Sequence, residues 1–252
     1  MIDIHSHILR GVDDGVRTLE ESVAILRDAA GAGTTDIVAT PHANDEFRFD
    51  PHLIGSRIAE LRSLAEKLPR IHRGCDFHLS ASNIEDALQN PAKYTINGHR
   101  YLLVEFPDMF ISPATEQILS LLAGRGMTPV ITHPERNPVL HRDIARLSRW
   151  AAQGYLLQVT ALSLLDRFGK AARESAWELI ECGAAHIVAS DAHHPDDRHA
   201  RLDEAYRVVT ARAGEERAAM LFVVNPGAVV EGREVMSSTP LARPRKWYQL
   251  GR

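Results

Sequence analysis

Short apolar runs alternate along the chain with longer stretches whose apolar residues recur at helical spacing. The runs are Ile2–His7, Asp36–His42, Ile71–Phe77, Tyr101–Phe106, Pro129–His133, Tyr155–Thr160 and His186–Asp191. Each is brief and bounded by polar or glycine-containing segments, as expected of buried strands. The first intervening helix is predicted from Thr18-Leu-Glu-Glu21, a capping box, and stops near Gly31 and Gly33. Ile54, Ile58, Leu61 and Leu68 mark one face of the second. Ile118, Leu121 and Leu122 belong to a third that ends at Gly124 and Gly126, and Ile144 and Leu147 to a fourth that ends at Gly154. Ala176, Leu179 and Ile180 lie on a fifth, with Gly183 just past its end. A sixth covers Arg201–Ala213, and Ala81–Tyr94 predicts helix only around Ile84–Leu88.

Seven strands alternating with helices predict an α/β fold with a mostly parallel sheet, either closed as a barrel or open and doubly wound. No Pro/Gly/Ser linker or charge run divides the chain. Residues 1–242 are therefore expected to form one domain, with a basic tail, RPRKWYQLGR, at 243–252. The net charge of −4 argues against a general nucleic-acid surface. No apolar run approaches the ~20 residues of a membrane span, so no membrane insertion is expected. Met1 leads straight into the first strand, which leaves no room for a signal peptide. The two cysteines, Cys75 and Cys182, are too few for a disulfide framework and suit a reducing compartment, so a cytoplasmic protein is expected.

The chemistry gathers at the ends of the predicted strands. His5 and His7 are two apart on the first, so both point to one side. A loop with Asp13 and Asp14 follows, between Gly11 and Gly15. The second strand ends at His42, the third at Asp76, the fourth at Glu105, the fifth at His133, and the seventh at Asp191 and His193. The sixth offers only Gln158 and Thr160. Any one of these residues suits a structural ion pair or a satisfied core histidine. As a set, at the ends where α/β barrels build active sites, they point to metal. They exceed the needs of one ion and suffice for two or three bridged by carboxylate. Mixed imidazole and carboxylate ligation points to manganese, iron or zinc rather than magnesium or calcium. Cys75 would weigh toward zinc if it pointed inward; its neighbour Asp76 has the opposite strand parity and is taken as the inward residue. Arg136 and Arg198 sit in loops after ligand-bearing strands, where a guanidinium suits bidentate contact with phosphate oxygens.

The motifs MIDIHSHIL…VDDG, ATPH, LLVEF, THPERN and ASDAH, over about residues 1–225, resemble the PHP (polymerase and histidinol phosphatase) superfamily. More closely, the chain resembles the manganese-dependent protein tyrosine phosphatases of the CpsB/CapC/YwqE type, linked to capsule and exopolysaccharide synthesis. The resemblance implies a distorted (β/α)7 barrel with a trinuclear site. It implies His5, His7, Asp14, His42, Asp76, Glu105, His133, Asp191 and His193 as metal ligands, with Mn2+ first among two to three ions and Fe or Zn as alternatives. It implies Arg136 and Arg198 as the phosphate-contacting catalytic groups. The implied substrate is phosphotyrosine on the tyrosine-rich tail of a bacterial tyrosine kinase that controls capsule export. Two positions depart from the family pattern: Asp76 stands where better-known members have Glu, and Ala43 where many have a second His.

Two other phosphatase chemistries are excluded. A cysteine nucleophile needs Arg six positions on, where Cys75 has Ala81 and Cys182 has Val188. No G-x-x-x-x-G-K-[ST] is present. The alternative within the superfamily is a small-molecule phosphomonoesterase of the histidinol-phosphatase kind.

Overall fold

The computed structural model describes residues 1–64 and 68–241; the basic tail at 243–252 lies outside the described residues. The chain opens with β1 (Ile2–Ser6), α1 (Leu19–Gly31), β2 (Asp36–Ala39), β3 (His42–Ala43) and α2 (Pro51–Leu64). Then come β4 (Arg70–Arg73), β5 (Asp76–His78), α3 (Ala81–Gln89), α4 (Pro91–Tyr94) and β6 (Tyr101–Glu105). They are followed by α5 (Thr115–Gly124), β7 (Thr128–Thr132), α6 (Ile144–Ala152), β8 (Leu156–Thr160), α7 (Ala161–Leu164) and α8 (Gly169–Glu181). The last are β9 (Ile187–Ala189), α9 (Asp203–Ala213), α10 (Glu215–Ala219), a π-helical turn at Met220–Val224, and α11 (Asn225–Glu231).

Among the described residues every strand pairing is parallel, in the orders β1-β2-β4 and β3-β5-β6-β7-β8-β9. Two of the predicted runs are broken, and this is the main correction to the sequence reading. Asp36–His42 splits into β2 and β3 because Pro41 has no N–H to give a ladder. Ile71–Phe77 splits into β4 and β5 around Gly74, where a Cβ would lie 2.8 Å from Val38 Cγ1 and 2.9 Å from Thr40 Cγ2. The two sheets stay linked across the breaks, since Asp76 N donates to Pro41 O at 3.1 Å. At the far side a bridge pairs Ser6 with Ala192, and Asp191 N donates to His5 O at 2.9 Å.

The helices mostly follow the sequence pattern. α1 starts with the expected box: Glu21 N donates to Thr18 Oγ1 and Thr18 N to Glu21 Oε2, both at 3.2 Å. Leu68 falls outside α2, and Leu121 on α5 is 56% exposed rather than buried. Ala81–Tyr94 is helical over α3 and α4, because Ser80 caps Asn83 N and Pro91 starts the second helix. The helices of 215–231 were not anticipated, since their apolar residues follow no single face.

A small apolar cluster draws on six strands: Ile4 of β1, Val38 of β2, Tyr101 and Leu103 of β6, Val130 of β7, Leu156 of β8, and Ile187 and Ala189 of β9. Ile96, with Val229 and Val230 of α11, completes it. A larger cluster lies between the strands and the helices around them. The register of β1 against β2 shifts between Asp3 and Ser6. Such a shift re-aims side chains along a strand, and here Ile4 joins the small cluster while His5 turns to the site.

His186 is buried beside this cluster, its Nδ1 accepting from Leu157 N at 3.2 Å. Burial lowers its pKa from 6.5 to about 4. The folded chain therefore keeps His186 neutral where the unfolded chain would protonate it. That contribution, about 3 kcal/mol, is complete above pH ~6.5 and is lost as pH falls toward ~4. Urea unfolding at pH 7 and pH 4.5 should show a smaller acid-induced drop for His186→Asn, whose Oδ1 can take the Leu157 bond. An equal drop in both proteins would show that His186 does not carry the effect.

Candidate metal centre

All nine histidines and carboxylates predicted as ligands converge at the carboxyl ends of the strands. They form four groups whose ligand atoms lie within 4.8 Å of one another: His7-Asp14-His42-His193, His42-Asp76-His78-Glu105, His5-His7-Asp76, and His5-His133-Asp191. His78 was missed from sequence. It lies two residues beyond Asp76, hence on the same face of β5, and that parity was the available signal. His5, His7, His42 and Asp76 each belong to two groups, so the groups adjoin one another; of the four, Asp76 has the two carboxylate oxygens suited to a place between neighbouring ions.

The loop after β1 gives its two aspartates different contacts. Asp13 Oδ2 accepts from His7 Nδ1 at 2.7 Å and from His42 N at 3.2 Å. Asp14 Oδ1 faces His42 Nε2 at 3.3 Å and His193 Nε2 at 3.6 Å. Gly15 lets this loop close on the strand, because a Cβ there would sit 2.3 Å from His7 O. Gln158 Oε1 accepts from His5 Nδ1 at 3.0 Å, and Asp191 O accepts from His193 Nδ1 at 3.0 Å. With Nδ1–H committed to oxygen in His5, His7 and His193, each imidazole presents a bare Nε2 to the site.

The donor set fits metal on its unsatisfied atoms. Asp76 Oδ1 and Oδ2, His42 Nδ1, His78 Nε2 and Glu105 Oε2 are buried without a hydrogen-bond partner. The Nε2 atoms of His5 and His7 lie 3.3 Å apart. Buried lone pairs aimed at one another are costly unless a cation lies among them. The backbone is strained at the same place: His133 has φ 32° and Asp191 φ 54°, a region that side chains rarely adopt outside sites that over-determine them.

The carboxylates make the site hungry for positive charge. Burial alone would lower the pKa of His5, yet Asp76 and Asp191 raise it to about 9. Burial likewise opposes the rise of His42 to about 11, which Asp14, Asp76 and Glu105 produce. Asp76 is held well below the usual carboxylate range: burial opposes this, and His5 and His42 outweigh it. Protons and metal ions compete for these atoms, so acid weakens metal binding.

Arg136 and Arg198 meet on one carboxylate. Arg198 Nη2 donates to Asp191 Oδ2 at 2.6 Å, and Arg136 Nη1 bonds the same oxygen. The Arg136 guanidinium lies 4.1 Å above the Phe168 ring. Arg136 also lines a cleft of about 190 Å³ with Glu105, Asp108, His133 and Asn137. Cys75 is fully buried in the larger apolar cluster, and burial pushes its thiol pKa up, the reverse of what a nucleophile needs.

The model of the family described as capsular polysaccharide synthesis, CpsB/CapC, matches residues 1–231. The chain belongs to this family. Among CpsB/CapC relatives, it is 32% identical over 225 residues to the tyrosine-protein phosphatase YwqE of Bacillus subtilis (strain 168), covering 88% of each chain. It is 31% identical over 239 residues to the tyrosine-protein phosphatase CpsB of Streptococcus pneumoniae, covering 91% of this chain and 98% of that one. A crystal structure from work on YwqE of B. subtilis and CpsB of S. pneumoniae, described as unique metal-dependent tyrosine phosphatases, matches with TM-score 0.89. That match has 29% identity and covers 97% of this chain and 100% of the other. The CpsB/CapC match takes in every candidate ligand, both arginines and α11.

Proposed function

We propose that the chain is a metal-dependent phosphotyrosine-protein phosphatase. In this reading it acts in the cytoplasm on the phosphorylated, tyrosine-rich tail of a bacterial tyrosine kinase governing capsule or exopolysaccharide synthesis. The observation that carries the reading is the convergence of four ligand groups beside two arginines, in a chain of the CpsB/CapC family. The substrate class is supported by the names of the relatives, and the compartment by two free thiols. The described helices include none long and apolar enough to cross a membrane. The strands are read as a distorted (β/α)7 barrel within one domain of residues 1–242. The Ser6–Ala192 bridge and the apolar cluster shared by six strands support closure.

His5, His7, Asp14, His42, Asp76, Glu105, His133, Asp191 and His193 would hold two to three ions, manganese first and iron or zinc as the other fits, and His78 joins them. The chemistry supplied by bound divalent ions is Lewis acidity toward the phosphoryl oxygens and acidification of the attacking water. Asp13 and Gln158 keep His7 and His5 in the tautomer that presents Nε2. Arg136 and Arg198 each spend donors on Asp191 and keep others for the equatorial oxygens of the phosphoryl group. A phenolate leaves more readily than an alkoxide, so aryl esters need less help from an acid.

Prolonged chelation should abolish hydrolysis of a phosphotyrosine peptide, and Mn2+ should restore it better than Mg2+. Full turnover after exhaustive chelation would sink the reading. Preference for histidinol phosphate over both the peptide and p-nitrophenyl phosphate would move it to the small-molecule class.

A further inference from the structure

We propose that Glu135, which belongs to no ligand group, is the positioning residue for His133 and Arg136; the inference rests on the metallophosphatase reading above. Glu135 is 1% exposed and lies between the two residues it would position. Arg136 N donates to His133 O at 2.9 Å, which closes a tight turn over residues 133–136. Glu135 Oε1 accepts from Thr160 N at 2.8 Å and from Ser163 Oγ at 2.7 Å. Its other oxygen, Oε2, is buried without a partner. The neighbouring cleft is lined by His133, Arg136 and Asn137 but not by Glu135, whose carboxylate instead reaches Thr160 and Ser163.

A buried carboxylate with one unsatisfied oxygen is costly. What it does here is fix a turn whose first residue has a left-handed backbone at φ 32°. Strain of that kind persists only where neighbours over-determine it. The anchor is the β8–α7 corner, on the one predicted strand that brings no ligand. Gln158 of the same strand bonds His5 Nδ1. β8 thus acts as the wall that holds its neighbours' functional groups in place, and Glu135 is the link to His133 and Arg136.

The test compares Glu135→Gln and Glu135→Ala in the full chain. The measurements are Mn2+ affinity, kcat and KM with p-nitrophenyl phosphate, and circular dichroism. Glutamine keeps an oxygen for Thr160 and Ser163; alanine keeps none. Glu135→Ala should fold, lose about 10²-fold in kcat/KM, mainly through kcat, and bind Mn2+ about tenfold more weakly. Glu135→Gln should stay within about threefold of the parent in both. Parental values for alanine, or glutamine as damaged as alanine, would overturn the proposal. Should alanine fail to fold, Ser163→Ala decides. A loss of roughly five- to tenfold in the same quantities supports the anchor, and parental values overturn it. If the parent chain has no phosphatase activity, the functional reading falls, and the Mn2+ affinities still decide the role of Glu135.

Discussion

Asp76→Asn is expected to empty the centre of metal and remove nearly all turnover. Asp76 is fully buried, and neither carboxylate oxygen has a hydrogen-bond partner. It faces His5 Nε2 at 3.5 Å and His42 Nδ1 at 3.2 Å, and it belongs to two ligand groups. An amide of the same shape removes a charge from a low-dielectric site and turns N–H donors toward nitrogens meant to bind a cation. Losing an outer hydrogen-bond partner of a ligand costs about 10–100-fold in metal affinity; losing a shared ligand should cost more. Elemental analysis after gel filtration, with kinetics on the same sample, checks this. Normal occupancy and turnover would show that Asp76 is no ligand. Asp76→Glu should fall between, because β5 has brought the shorter side chain to the centre and an extra methylene in a packed site costs about 1–3 kcal/mol.

Arg136→Ala is expected to lower kcat by about two to three orders of magnitude, the scale for removing one donor to the transition state. Metal content should hold, because Arg198 still pairs with Asp191 at 2.6 Å and keeps that carboxylate in place. The Phe168 face uncovered by the substitution is only partly buried, so the cost to the fold should be small. Metal analysis separates the two roles of this side chain. A variant that has lost metal would show Arg136 to be a holder of Asp191 rather than a contact for phosphate. Parental kcat would remove it from the mechanism altogether.

The sequence by itself determined the alternation of strands and helices, the capping box at Thr18, and the set of side chains at the strand ends. These are local matters. Period-two and helical spacing follow from backbone geometry, and a histidine or carboxylate closing an apolar run is costly without a partner. Two strand breaks were partly legible as Pro41 and Gly74, but only the packed sheets show that the chain kinks there to carry His42 and Asp76 into one centre. Asp13 and Asp14 are equivalent in sequence. Only tertiary contact distinguishes their surroundings: His7 Nδ1 and His42 N reach one, and the Nε2 atoms of His42 and His193 face the other. His78 was legible from its parity with Asp76, whereas the parts of Gln158 and Glu135 rest, like that distinction, on tertiary contact. Each of these two acts through a residue from another element, His5 or Thr160, and no local pattern records which distant atoms a fold will bring within about 3 Å.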